Sequence, residues 1–168
     1  MNTTKDALPN AFGGSSTSDN ASTEGSVNIL IVDDMSIMRI IIKEILINYC
    51  GVDNRNIYES SNGKDALMMF KRCKPEIVFL DINMPDLDGV SVTKELILKD
   101  PDLHIIMCTS LKHKSDVMEC IRAGAKDYIT KPPQPERVIK AVEHIIPIPE
   151  DSYVVIPAEG QEVVDDKN

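Results

Sequence analysis

The chain has 168 residues, 42% of them hydrophobic and only 4% aromatic, with a net charge of −9. That length suits one domain able to bury a sizeable, mainly aliphatic core. The charge sits mostly at the ends, −2 in the first 26 residues and −5 from Pro147 onward; the near-neutral middle excludes nucleic-acid binding through bulk electrostatics.

Residues 1–26 are dominated by Ser, Thr, Asn and Gly, as in Gly13-Gly14-Ser15-Ser16-Thr17-Ser18, and read as a disordered arm with little to bury. A first strand is predicted over Val27–Val32. A helix follows over Ser36–Tyr49, with Met38, Ile41, Ile42, Ile45 and Leu46 on one stripe and an end near Gly51. Asn56–Ser60 reads as a second strand and Lys64–Cys73 as a helix carrying Leu67 and Phe70. Pro75 separates it from a third strand over Glu76–Leu80. Asp88–Lys99 is a third helix, closed by Asp100-Pro101. A fourth strand is predicted over Leu103–Cys108, and a fourth helix over Lys114–Ala123 with Gly124 as its cap. The fifth strand is Lys126–Thr130, and the fifth helix starts at Pro135 and shows Val138, Ile139, Val142 and Ile145. After Ile146 the pattern stops. Residues 147–168 read as an acidic tail, in which Tyr153-Val154-Val155-Ile156 is the only strand-like piece.

Five βα units are too few for a barrel, so the folded unit, residues 27–146, is expected to be an open α/β structure. The short β-branched runs suit strands buried on both faces of a parallel sheet. The expectation is a flavodoxin-like (βα)5 doubly wound sheet with strand order 2-1-3-4-5, which places the first and third strands side by side at the switch point. Cys50, Cys73, Cys108 and Cys120 lack metal-type spacing and read as free, mostly buried thiols in a reducing, cytoplasmic compartment. The sequence shows no apolar run of about 18 residues. Nor does a basic segment precede an apolar one, so neither a membrane span nor a signal peptide is expected.

Four apolar runs stop on reactive side chains. They end at Asp33-Asp34, Asp81, Thr109 and Lys131. Ligands bind outside the carboxyl ends of parallel strands, so three carboxylates, a hydroxyl and an ammonium should meet on one edge of the sheet. Crowded carboxylates repel unless a cation lies between them. Oxygen donors without Cys or His favour Mg²⁺. An Asp beside Mg²⁺ can act as a nucleophile on phosphorus. Lys131 supplies the ammonium to offset phosphoryl charge, and Thr109 a hydroxyl to hydrogen-bond a phosphoryl oxygen.

These stretches resemble the receiver domains of two-component response regulators. The carriers are Val32-Asp33-Asp34, Leu80-Asp81-Ile82-Asn83-Met84-Pro85-Asp86-Leu87-Asp88-Gly89, Thr109-Ser110, and Ala123-Gly124-Ala125-Lys126-Asp127-Tyr128-Ile129-Thr130-Lys131-Pro132. Asp33–Arg39 and Gln134–Val138 look most like the chemotaxis branch of that family. The resemblance implies that Asp81 is the phosphoacceptor. It implies that Asp34, Asp81 and the backbone carbonyl of Asn83 bind Mg²⁺ directly, with Asp33 acting mainly through water. Lys131 would contact the phosphoryl group, with the Lys131–Pro132 bond cis. Thr109 and Tyr128 would form the switch, moving together to alter the surface of the fourth helix, fifth strand and fifth helix. Ser110, where Ala is common, and Pro133, where an aromatic is common, depart from the pattern.

The function implied is a single-domain phosphorylation switch in a two-component phosphorelay, charged by a histidine kinase or a histidine phosphotransfer protein. The roughly 20 residues after Ile146 are too few for an output domain of the usual size, so the output expected is binding of a downstream target protein, such as a flagellar motor switch. The alternative within the class is a phosphorelay carrier that hands its phosphate to a histidine phosphotransfer protein. From another class, a Mg²⁺-dependent phosphohydrolase of the haloacid-dehalogenase type uses similar strand-end residues. That family wants an acid–base Asp two positions after the nucleophile, where this chain has Asn83.

Overall fold

A computed structural model describes residues 26–85, 87–110 and 114–149. The expected arm before Ser26, the tail from Glu150 with Tyr153–Ile156, and Asp86 lie outside the described residues.

The elements run β1 (Ile29–Val32), α1 (Ser36–Cys50), β2 (Ile57–Ser60), α2 (Gly63–Cys73), β3 (Ile77–Asp81), α3 (Gly89–Lys99), β4 (His104–Thr109), α4 (Lys114–Ala123), β5 (Asp127–Thr130) and α5 (Pro135–Val142). The strands form one parallel sheet in the order β2-β1-β3-β4-β5, as the sequence predicts. Side chains alternate across it with period two. Ile29, Ile31, Ile77, Phe79, Ile106, Cys108 and Ile129 face α1 and α5, where Ile42, Ile45, Leu46, Val138 and Val142 meet them. Leu30, Val32, Val78, Leu80, Ile105 and Met107 face the opposite layer, against Ala66, Val92, Leu96 and Cys120. Full burial of each aliphatic side chain contributes about 1.5–3 kcal/mol, so the two layers hold the sheet from both sides. Cys50, Cys73, Cys108 and Cys120 are all buried as thiols, Cys50 and Cys108 in the first layer and Cys120 in the second, and none forms a disulfide.

The boundaries shift from the sequence expectation at particular places. The second strand begins at Ile57, because Asn54–Asn56 form a 3₁₀ turn that Asp53 caps by accepting from Arg55 N–H at 2.8 Å. The third and fourth strands extend to Asp81 and Thr109 themselves, since Asp81 stays in register with Cys108 and Thr109 with Thr130. Polar residues thus continue the ladders, which apolar patterning does not reveal. Asp88 is not helical. It caps α3, accepting from Ser91 N–H at 2.9 Å. The α1 helix ends at Gly51 in the left-handed region, φ 67°, its N–H returning to Leu46 C=O. Chain packing continues past Ile146: Ile148 lies against the first layer, and Pro149 packs beside Gly51. Gly89 is required by close approach, because a Cβ there would fall 2.2 Å from the carbonyl oxygen of Asp81. That contact seats α3 directly under the end of β3.

Candidate functional site

The carboxyl ends of β1, β3, β4 and β5 bring Asp33, Asp81, Thr109 and Lys131 to one edge, with Asp34 one residue further along the β1–α1 loop. Asp33 and Asp81 are only 1% and 3% exposed, and Thr109 is fully buried, whereas Asp34 is exposed. Lys131 reaches across from the end of β5, its Nζ 2.6 Å from Asp33 Oδ2 and 2.8 Å from Asp81 Oδ2. Each carboxylate's other oxygen takes a main-chain donor. Met35 N–H donates to Asp33 Oδ1 at 2.9 Å, and Asn83 N–H donates to Asp81 Oδ1 at 3.2 Å. These bonds turn both carboxylates into one crevice.

The electrostatics follow from that geometry. Burial is the main influence on Asp81 and pushes its carboxyl above the ordinary range, against the opposing pull of Lys131. For Lys131, burial works against the charged form, but its bonds to Asp33 and Asp81 outweigh it and raise the pKa. Three carboxylates face one ammonium, so the crevice keeps an excess of negative charge. Asp33, Asp34 and Asp81 each offer an oxygen, and these oxygens lie within 4.8 Å of one another. A set of hard oxygen donors, one of them solvent-facing, fits Mg²⁺ and leaves room for water in its shell. Asp34, Asp81 and Asp33 are the side chains that would hold it.

Of the residues singled out from the sequence, Asp33, Asp34, Asp81 and Lys131 converge directly. Thr109 stands at the end of the neighbouring strand, its carbonyl accepting from Lys131 N–H at 2.8 Å. Asn83 is exposed beside Asp81, in contact through its N–H. Tyr128 lies apart, 39% exposed on β5. Its carbonyl accepts from Arg137 Nη2 at 2.7 Å, and Arg137 also pairs with Asp127. The Lys131–Pro132 bond is cis, as the resemblance implies. Pro133 is buried and Ser110 exposed.

Sequence reasoning assigned no role to Arg39. Its Nη1 donates to the backbone carbonyl of Asp33 at 2.7 Å, while its Nε donates to Glu59 Oε2 at 3.1 Å. The signals for it were a basic residue one turn into the helix that follows the Asp pair and its place at the end of the Asp33–Arg39 stretch that carries the family resemblance.

A family model for the response regulator receiver domain matches residues 29–143. The chemotaxis protein CheY of Thermotoga maritima is 41% identical over 117 residues, covering 70% of this chain and 95% of that protein. The chemotaxis protein CheY of Bacillus subtilis is 42% identical over 114 residues, covering 68% and 92%. Among solved structures, the CheX–CheY–BeF₃–Mg²⁺ complex from Borrelia burgdorferi has a chain similar to this one at TM-score 0.65 and 29% identity, covering 71% of this chain and 88% of that one.

Proposed function

The chain belongs to the response regulator receiver family, a family of signalling proteins, and on that premise we propose that it is a phosphorylation switch with Asp81 as its phosphoacceptor. The observation that carries this reading is the bridging of buried Asp33 and Asp81 by Lys131, with Asp34 completing a three-carboxylate crevice. The receiver unit is assigned to residues 27–146, with residues 1–26 and 147–168 as appendages.

In this reading a carboxylate oxygen of Asp81 attacks the phosphorus of a phosphohistidine on a histidine kinase. An O–P bond forms, the N–P bond breaks, and its electron pair returns to the imidazole. When bound, Mg²⁺ would supply charge neutralisation at the phosphoryl oxygens; Asp34, Asp81 and the carbonyl of Asn83 would hold it, with Asp33 acting mainly through water. Lys131 exchanges part of its pairing with Asp81 for a phosphoryl oxygen. The Asn83 and Met35 amides keep the carboxylates aimed. Thr109 then turns toward the phosphoryl group and Tyr128 moves inward with it, changing the face formed by α4, β5 and α5. The similarity to chemotaxis proteins supports a downstream protein target of chemotaxis type, a flagellar motor switch being the specific proposal.

The test is intact mass after treatment with acetyl phosphate and Mg²⁺. The parent should gain one phosphoryl group and Asp81→Asn none. A variant that still gains it removes Asp81 from this role.

A further inference from the structure

The loop carrying Asp33 and Asp34 passes from β1 to α1 in three residues, and two bonds orient it, one to the edge strand β2 and one from α1. Asp33 N–H donates to Ser60 C=O at 3.1 Å. Asp33 C=O, on the peptide that joins it to Asp34, accepts from Arg39 Nη1 at 2.7 Å. Arg39 is in turn held from the far side. Its Nε donates to Glu59 Oε2 at 3.1 Å, and Lys43 Nζ donates to Glu59 Oε1 at 3.1 Å. The Arg39 side chain is 17% exposed, sheltered enough for the fork to keep one geometry. Burial pulls the Glu59 carboxyl upward, but Lys43 and Arg39 outweigh it and keep Glu59 ionised as an anchor.

We propose that Arg39, anchored by Glu59, is a positioning residue of the cation site, fixing the Asp33–Asp34 peptide so that both carboxylates stay turned toward Asp81. This rests on the reading of the crevice as a Mg²⁺ site. The edge strand thereby sets the cation affinity without touching the ion. Charge alone argues the opposite: Arg39 is a cation near three carboxylates, and its removal should strengthen Mg²⁺ binding by Coulomb's law. Positioning demands a loss. Outer-shell partners that orient metal ligands act on the scale of about 10–100-fold in affinity. The bridge uses two donors of one planar fork on two acceptors, which a single ammonium does not reproduce.

Calorimetric titration of the full chain with Mg²⁺ tests this, using the parent, Arg39→Ala, Arg39→Lys, Glu59→Ala and Glu59→Gln. Arg39→Ala should bind about tenfold more weakly, and Arg39→Lys should recover little of the loss. Glu59→Gln, which drops the charge but keeps an acceptor for Arg39, should retain most of the affinity that Glu59→Ala loses. This pair keeps the test decisive should Arg39→Ala fail to fold. The inference is overturned if Arg39→Ala binds as tightly as the parent or tighter, or if the two Glu59 variants lose affinity equally. A parent chain that binds no Mg²⁺ overturns the underlying cation-site reading, an outcome separable because it involves no substitution.

Discussion

Lys131 Nζ stands 2.8 Å from Asp81 Oδ2, joining the end of β5 to the end of β3 across the intervening β4. The same ammonium serves Asp33 at 2.6 Å. One cation therefore satisfies two buried carboxylates, and the site's charge balance depends on it.

Lys131→Ala should leave both carboxylates buried without a counter-charge. Removing one partner of a buried pair costs about 3–5 kcal/mol, and the 12% exposure of this side chain puts the expected loss at the lower end. The sign with pH follows from Asp81. Its carboxyl, raised mainly by burial, contributes most favourably below the ordinary carboxylate range and less as pH rises through its native pKa. The variant removes the group that opposes that rise, so its deficit should be larger near neutral pH than near about pH 4. Metal-free urea unfolding at both pH values checks this. Equal deficits would mean that Lys131 acts through packing alone.

Asp34→Ala should lose stabilisation by Mg²⁺ while the metal-free protein is unchanged or slightly more stable. Asp34 is exposed and offers an oxygen within 4.8 Å of those of Asp33 and Asp81, so its removal would relieve repulsion while stripping a proposed ligand. Thermal melts with and without Mg²⁺ decide the point. Parent-like stabilisation by Mg²⁺ would exclude Asp34 as a ligand.

Tyr128 should become less exposed when beryllofluoride and Mg²⁺ mimic the phosphorylated state. The chain has four Tyr and no Trp, so tyrosine emission is directly readable. Acrylamide quenching of the parent should fall on activation, and subtraction of a Tyr128→Phe variant should assign the change to Tyr128. Thr109→Ala should suppress it while leaving Asp81 phosphorylation intact, because in the proposed switch the hydroxyl would bias the equilibrium between two arrangements. The coupling lost should be about 1–3 kcal/mol. Undiminished protection in Thr109→Ala would separate Tyr128 from Thr109.

His104 should make the fold acid-sensitive from the end of the sheet opposite the carboxylates. Its ring packs edge-on against His144 with centroids 4.8 Å apart, and its Nε2 is buried with no hydrogen-bond partner among the described residues. Burial first, then the neighbouring His144, lowers its pKa; Lys126 adds slightly and Asp127 opposes. A depressed native pKa contributes stability above the ordinary value of 6.5 that is lost as pH falls through the native value. His104→Phe should keep the ring contact and flatten this dependence. Denaturant unfolding between neutral and mildly acid pH measures it, and an unchanged slope would assign the acid sensitivity to other groups.

Much of the fold was legible locally. The runs ending at Val32 and Leu80 are apolar without interruption, and their short length and β-branched content fit a strand covered on both faces. Reactive residues directly follow these runs and the two ending at Cys108 and Thr130, so Asp33, Asp34, Asp81, Thr109 and Lys131 could be named before any contact was known. Strand limits were less legible where a polar residue continues a ladder, as Asp81 and Thr109 do, because patterning reports burial and not backbone pairing.

The sequence alone determined the alternation of strand and helix and the residues delivered to the sheet edge, because hydrophobic periodicity is a local property. The tertiary structure decided which charges pair. Lys131 follows Asp81 by 50 positions and Asp33 by 98, and only parallel register brings them to one crevice. The same holds for Arg39 with Glu59 and for His104 with His144. Each of these contacts is a distance between side chains far apart in sequence, and that distance exists only once the sheet has set the elements side by side.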